Sequence, residues 1–452
     1  MKTSTALSAI GQVLNTLSES NSKALLSEHN NLTHSRRDEA AAILSRLQEL
    51  NPTIASQFGA KQDAISGLVL RMLSTQEPAS GPFSSFIAVS YCWHYPQQWP
   101  LAPAATPIAP GWEISQPMVD AVMGLRAHAD EGVWLDKLCI NQSDEKDKIL
   151  HIGAMDVVYR SARRIVILLE DIQLDREEET AALAYSALYA DMVRQVKEQK
   201  LEGQAKADFI FAFLPSEEAK CREAGTDGVL SGGKSFAKKL LAARWFSRAW
   251  CAHESRVAHH HRIKDSNRVP LFFCYGHDGA VLSFEFRFMF FLAMHLSNSE
   301  PEVNLVGTAY MNALNDPNPT SLRQLWWRIQ RLLPDNQQVS AMQHLVSILS
   351  FGCFNKGDLI SIALNTAQIP LFFHGNIEFE DDVLWIFSVL MLAAGDVVPL
   401  VLHGVKLRIV DADGKKTISW MSRPFQGALD DSLPIAAQES ITSVTREYIE
   451  LD

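Results

Sequence analysis

The stretch Phe86-Ile87-Ala88-Val89-Ser90-Tyr91-Cys92-Trp93 decides how this chain is read. Four consecutive apolar residues without polar alternation describe a strand buried on both faces, and Ser90 arrives where the apolar run stops. The pattern returns at Val133-Trp134-Leu135-Asp136-Lys137-Leu138-Cys139-Ile140-Asn141-Gln142, where Asp136 closes a second strand over 133–136. Arg164-Ile165-Val166-Ile167-Leu168-Leu169 is a third, rich in β-branched residues and apolar from Ile165 onward. Polar groups at the ends of buried strands are where open α/β sheets assemble their sites.

The intervals between these strands read as crossovers. Residues 96–117 hold six prolines and form a loop, followed by a short helix over about 118–130. Asn141-Gln142-Ser143-Asp144 is a loop and N-cap, and the helix after it places Ile149, Ile152, Met155, Val158 and Tyr159 on one face. Residues 171–243 are charge-rich and helical, an insertion outside the sheet. A helix from about 236 to 260 then carries Trp250-Cys251-Ala252-His253-Glu254, and Val269-Pro270-Leu271-Phe272-Phe273-Cys274 is a further strand. Residues 83–280 are therefore an α/β domain with a mostly parallel sheet flanked by helices. Residues 1–80 read as an N-terminal helical region. Residues 281–452 read as mostly helical, with short strands at Leu400–Leu402 and Lys406–Val410.

The chain's 452 residues suit about two to four units. A net charge of −11 gives no global attraction to nucleic acid or to an anionic membrane. Six scattered cysteines without a CxxC pair read as reduced thiols. The longest uncharged apolar run, Val383–Gly395, falls short of the roughly 20 residues of a membrane span and reads as a buried helix. Met1–Ser20 lacks an uninterrupted apolar run of signal-peptide length, so the expected location is cytoplasmic.

Together these segments resemble the fungal heterokaryon-incompatibility (HET) domain. That family's pattern is a strand ending in Ser-Tyr-x-Trp, then Trp-Ile-Asp-x-x-Cys-Ile-Asn-Gln, then Met-x-x-x-Tyr-x-x-Ala, then Arg-x-Trp-Phe-x-Arg-x-Trp and a glutamate. The matches here are Ser90-Tyr91-Cys92-Trp93, Trp134 through Gln142, Met155 with Tyr159 and Ala162, and Arg244-Trp245-Phe246-Ser247-Arg248-Ala249-Trp250 with Glu254. Phe354-Asn355-Lys356-Gly357-Asp358-Leu359-Ile360-Ser361 resembles a motif found downstream in such proteins. One position departs: the family's usual glycine after the tryptophan is His94.

HET domains are in turn similar to the TIR (Toll/interleukin-receptor) fold, which implies a TIR- or flavodoxin-like sheet. TIR domains often carry Trp-Cys-x-x-Glu, and Trp250-Cys251-Ala252-His253-Glu254 matches that spacing. The resemblance implies Glu254 as the catalytic residue of NAD glycohydrolysis. The chemistry agrees, because a carboxylate near the ribose stabilises an oxocarbenium-like state, and nicotinamide, already cationic, leaves without a general acid. Substrate-binding candidates are Ser90, Tyr91, Trp93, His94, Asp136, Asn141, Gln142 and Trp250. No cofactor or metal is expected; NAD enters as a substrate.

Each candidate has a plainer reading. Glu254 can pair with Arg248 or Arg256 on its own helix, Asp136 can cap the next loop, and Asn141 and Gln142 can hold that loop together. Trp93, Trp134 and Trp250 can be core. Gly228-Val229-Leu230-Ser231-Gly232-Gly233-Lys234-Ser235 fits the Walker A letters, but no buried strand precedes it, so a loop is expected instead. His253-Glu254 lacks the second zincin histidine, and His259-His260-His261 do not share a helix face. Three function classes follow. The first is an incompatibility or cell-death effector that hydrolyses NAD. The second is a non-enzymatic TIR-like module assembling with its own copies or a signalling partner. The third is an enzyme recruited to secondary metabolism, such as a cyclase of a hydrophobic terpenoid or polyketide.

Overall fold

The computed structural model describes residues 36–73, 83–108, 112–251, 253–254, 269–298, 340–349 and 351–401. It adds shorter pieces at 18–19, 25–26, 322, 404–410, 416–424, 441–444 and 449–451. Its centre is a five-stranded sheet: β1 Ser85–Ser90, β2 Glu131–Leu135, β3 Arg164–Gln173, β4 Leu271–Tyr275 and β5 Val281–Glu285. The order is β2-β1-β3-β4-β5. The first three pairings are parallel, and β5 returns antiparallel on β4 as a hairpin. The switch in connection direction falls at β1, flanked by β2 and β3, and its register sets Val89 beside Leu135 and Ser90 beside Ile167. All five residues of β2, and all but the first of β1, are buried, which is why these strands carry no polar alternation.

Helices cover both faces. Helix α3 (Gln116–Gly124) bridges β1 to β2. Helices α4 (Glu145–Gly153) and α5 (Met155–Ser161) bridge β2 to β3. Asp144 caps α4 by accepting from the Lys146 and Asp147 amides, as the loop reading expects. Ser90 and Trp134 face α5, and Trp134 meets the Tyr159 ring edge-on at 5.7 Å. Val89, Val133, Leu135 and Leu168 face α3.

Residues 176–241 form α6 (Arg176–Glu198), α7 (Gly203–Glu223) and α8 (Gly233–Leu241), and contribute no strand to the sheet. The insertion starts slightly later than expected, because β3 continues to Gln173. The Walker-like glycines serve packing. A Cβ on Gly232 would lie 2.5 Å from the Glu177 carbonyl oxygen, and one on Gly233 2.4 Å from the Tyr185 ring, so α8 docks on α6 only where side chains are absent. Ser231 and Ser235 donate to the Glu177 and Glu178 carboxylates, which would repel phosphate. A 3-10 turn, Asp227–Leu230, stands where a P-loop would need a strand.

Two expectations are corrected. No single helix spans 236–260: α8 ends at Leu241, a 3-10 turn covers Arg244–Ser247, and helix resumes at 249. The cause is competition for backbone donors, since the Arg244 amide goes to Asp171 Oδ2 at 2.7 Å and the Ala249 amide to the Gly352 carbonyl at 3.1 Å. Leu400 and Val401 belong to a 3-10 turn, Val398–Val401, and not to a strand, while Leu402 lies outside the described residues; Gly404–Val410 does pair antiparallel with Lys416–Pro424. His259–His261, Trp326-Trp327 and the Asp411–Gly414 turn lie outside the described residues.

The flanking regions pack onto the α/β body. Helix α9 (Phe286–Asn298) brings Phe286 and Phe288 into the core, where Phe286 stacks on Phe272. Helix α11 (Glu380–Ala393) is apolar all round and buried from Val383 onward, with Glu380, Asp381 and Asp382 at its N-terminus where they complement the helix dipole. Helix α2 (Lys61–Gly67) supplies Lys61, a buried ammonium 3.1 Å from Asp156 on α5 and 2.7 Å from Asn365 on α10 (Gly357–Thr366). Asp156 is shared with Arg160, and Asn365 donates to the Ile152 carbonyl. Removing Lys61 leaves the Asn365 amide oxygen without this donor and Asp156 with Arg160 alone, so Lys61→Ala should destabilise the chain by about 1–3 kcal/mol. Urea unfolding checks this, and an unchanged midpoint would show that the junction contributes nothing.

Candidate functional site

The C-terminal ends of β1 and β2 converge on one carboxylate. Glu254 is buried, and its two oxygens accept from the Ser90 and Tyr159 hydroxyls, the latter at 3.0 Å. Ser90 Oγ in turn accepts from the Trp245 indole at 2.6 Å. Ser90, Trp245 and Glu254 thus belong to one buried relay running from the end of β1 into the segment after the 3-10 turn.

Asp136 directly follows β2 as the first residue of a one-turn helix, Asp136–Cys139. It accepts from the Trp93 indole at 2.9 Å and from the Lys137 amide at 2.6 Å. Tyr91 is buried beside it, with a hydroxyl that has no hydrogen-bond partner of good geometry. Arg248 donates to the Tyr91 carbonyl at 2.7 Å and sits among Cys92, Cys251, Glu254 and Asp136.

Burial sets the electrostatics. It pushes Glu254 up to about 7, against the Ser90 hydrogen bond and the Arg248 charge, while Asp136 pushes in the same direction as burial. Burial likewise pushes Asp136 up to about 6, against hydrogen bonds from Trp93 and the Lys137 amide. Tyr159 is raised by burial and then by Glu254, so it remains a donor. Burial opposes the charge of Arg248, yet the surrounding acids and thiols hold it above its ordinary range. Two carboxyls raised by burial beside a buried arginine make this cluster the candidate functional site.

Of the sequence-derived candidates, the structure therefore brings together Glu254, Ser90, Tyr91, Asp136 and Trp93. His94 does not join them: it is 82% exposed and points to Glu113 at 3.5 Å. Asn141 and Gln142 are exposed and hold their loop. Asn141 Oδ1 accepts from the Ser143 amide, and the Gln142 amide donates to the Asp136 carbonyl. Trp250 flanks the cluster from the other side, donating to Asp358 Oδ2 at 2.9 Å; burial holds Asp358 at about 6. Glu254 takes hydrogen bonds from β1 and α5, with the Arg248 charge nearby; Arg256, the other arginine of the plainer reading, lies outside the described residues.

Sequence reasoning missed Tyr159, Trp245 and Arg248 as members of the cluster. All three lie inside the quoted motifs, but a residue on an apolar helix face or beside tryptophans reads as packing until the fold aims its polar atom. Among the described residues, Glu179, His277 and Asp278 bring ligand-type atoms within 4.8 Å of one another, though Glu179 already accepts from the His277 ring and amide. No described helix is long and apolar enough to cross a membrane.

Residues 86–254 match the family model described as Heterokaryon incompatibility protein (HET). No curated protein and no solved structure matches the chain.

The raised carboxyls make stability depend on pH. The folded state holds protons on Glu254 and Asp136 that the unfolded chain releases near pH 4, so stability is greatest below that pH range and is lost as pH rises toward 7. For Glu254 the loss is on the order of 3 kcal/mol. Glu254→Gln keeps the Tyr159 acceptor and can donate to Ser90 Oγ. The variant should be nearly as stable as wild type at pH 5 and more stable at pH 8. Unfolding titrations at the two pH values check this, and parallel pH curves would refute it.

Proposed function

We propose, from the heterokaryon incompatibility domain that residues 86–254 form, that the chain is an incompatibility and cell-death effector. Its domain hydrolyses NAD at the nicotinamide–ribose bond. The observation that supports the chemistry is the meeting of Glu254 and Asp136 beside Ser90 at the sheet's switch point, the place where open α/β sheets take ligands. The TIR-like assignment belongs to this proposal and rests on the Trp-Cys-x-x-Glu spacing.

In this reading nicotinamide enters past Trp93 and Trp250, which stand part-exposed on two sides of the cluster. The bond from ribose C1′ to the nicotinamide nitrogen breaks, and its electron pair neutralises the pyridinium. The positive charge left on the ribose is stabilised by the ionised Glu254 carboxylate. Water adds to C1′, and its proton passes to Asp136 or to solvent. Because Glu254 acts ionised, activity should rise with pH through about 7.

Purified full chain at high concentration should release nicotinamide from NAD, followed by chromatography. Glu254→Gln should lower the rate by about 10²–10³ while keeping the wild-type circular dichroism spectrum. Equal rates in the two proteins, or a rate flat between pH 5 and 8, would overturn the hydrolase reading. Cell death retained in Glu254→Gln alongside inert purified protein would favour assembly with a partner instead.

A further inference from the structure

We propose that the opposite face of the sheet holds a binding site for one small, neutral, apolar molecule, independent of the Glu254 cluster and sharing no residue with it. The site is the space between the sheet and α3. Val89, Leu135 and Leu168 form its floor, Val122 and Met123 of α3 its roof, and Trp112 its rim. It offers about 60 Å³ to the centres of water-sized spheres. Since a single water needs roughly 10–15 Å³ by this measure, a handful of water-sized groups fit.

Water is the wrong occupant. A buried water needs two to four polar partners, and the lining is hydrocarbon almost throughout. The one amide side chain on it, Gln116, is exposed and already donates to Asp120 at 2.7 Å. Left empty, such a space forfeits contacts that an apolar guest restores. The rim is polar and held in place. Lys137 lies over the Trp112 ring at 5.0 Å and pairs with Glu113 at 2.9 Å, and Glu113 also meets His94. An apolar interior with a few fixed polar groups at its mouth is the form of a small-molecule site. The lining itself carries no charged side chain to receive an ion, so the guest is neutral. Its volume suits a single aromatic ring or a short branched hydrocarbon.

Toluene is the probe, with benzoate as its charged counterpart, on the full chain. Calorimetric titration with toluene should saturate at one equivalent and raise the melting temperature by a few degrees. Benzoate should bind at least about tenfold more weakly, because its carboxylate would have to leave water. Val122→Phe fills the space from the roof and should abolish toluene binding while leaving the protein folded. Val119→Phe, which enters from the same helix, serves if the first variant fails to fold. No saturation in wild type, equal binding in both filled variants, or equal affinity for benzoate would each overturn the proposal. Nicotinamide release from NAD is read separately in the same variants, so failure here leaves the Glu254 reading untouched, and the converse.

Discussion

A carboxylate taken out of water must be paired, hydrogen-bonded or protonated, and Glu254 lives under that constraint. Its two oxygens take the hydroxyls of Ser90 and Tyr159, one from the last residue of β1 and one from α5. That demand ties three elements at a defined depth and orientation. Trp245 closes the chain by donating to Ser90, which fixes the 3-10 turn against the C-terminal end of β1. Apolar contact alone tolerates sliding; directional bonds to a single buried acid do not. The break between α8 and the helix resuming at 249 follows from the same arrangement, since a continuous helix would keep the Arg244 and Ala249 amides for itself.

The surrounding regions supply the low dielectric that makes the acid unusual. Helices α9, α10 and α11 are rich in apolar residues, many of them buried against the α/β body or one another. Two polar groups within this packing are well hydrogen-bonded: the Lys61, Asp156 and Asn365 junction, and Glu170, which accepts from Tyr275 and Ser115. Satisfied networks of this kind specify one packing arrangement, because any alternative leaves a charge or a donor unmet.

Much of this was legible in the order of residues. Uniformly apolar runs at 86–89 and 165–169 announce strands covered on both faces, and Ser90 and Asp136 mark where the first and second strands stop. Val383–Gly395 announced a buried helix by being too short for a membrane and too apolar for a surface. What was not legible depended on partners distant in sequence. Nothing near Ala249 reveals that its amide will be taken by Gly352, so one helix was expected where two segments and a turn exist. Nothing near His94 reveals that its ring turns toward Glu113 and solvent instead of toward Asp136. Tyr159 looked like the apolar face of a helix, and only the fold directs its hydroxyl to Glu254. The fifth strand was missed because Val281–Glu285 is short and only partly buried, and an edge strand has no need of an apolar run.

The length of β3 has a further consequence for how the family-matched segment can be handled. The match ends at Glu254, yet β4, which covers the outer edge of β3, lies at Leu271–Tyr275. A chain trimmed to residues 86–254 would carry a long, apolar strand with its amides and carbonyls bare on one side. That is the template on which strands of neighbouring molecules add. The same cut removes Lys61 and Asn365 and leaves Asp156 with Arg160 alone. The unit of sequence inheritance is therefore smaller than the unit of folding, and an excised segment of this chain should precipitate, not report on its site.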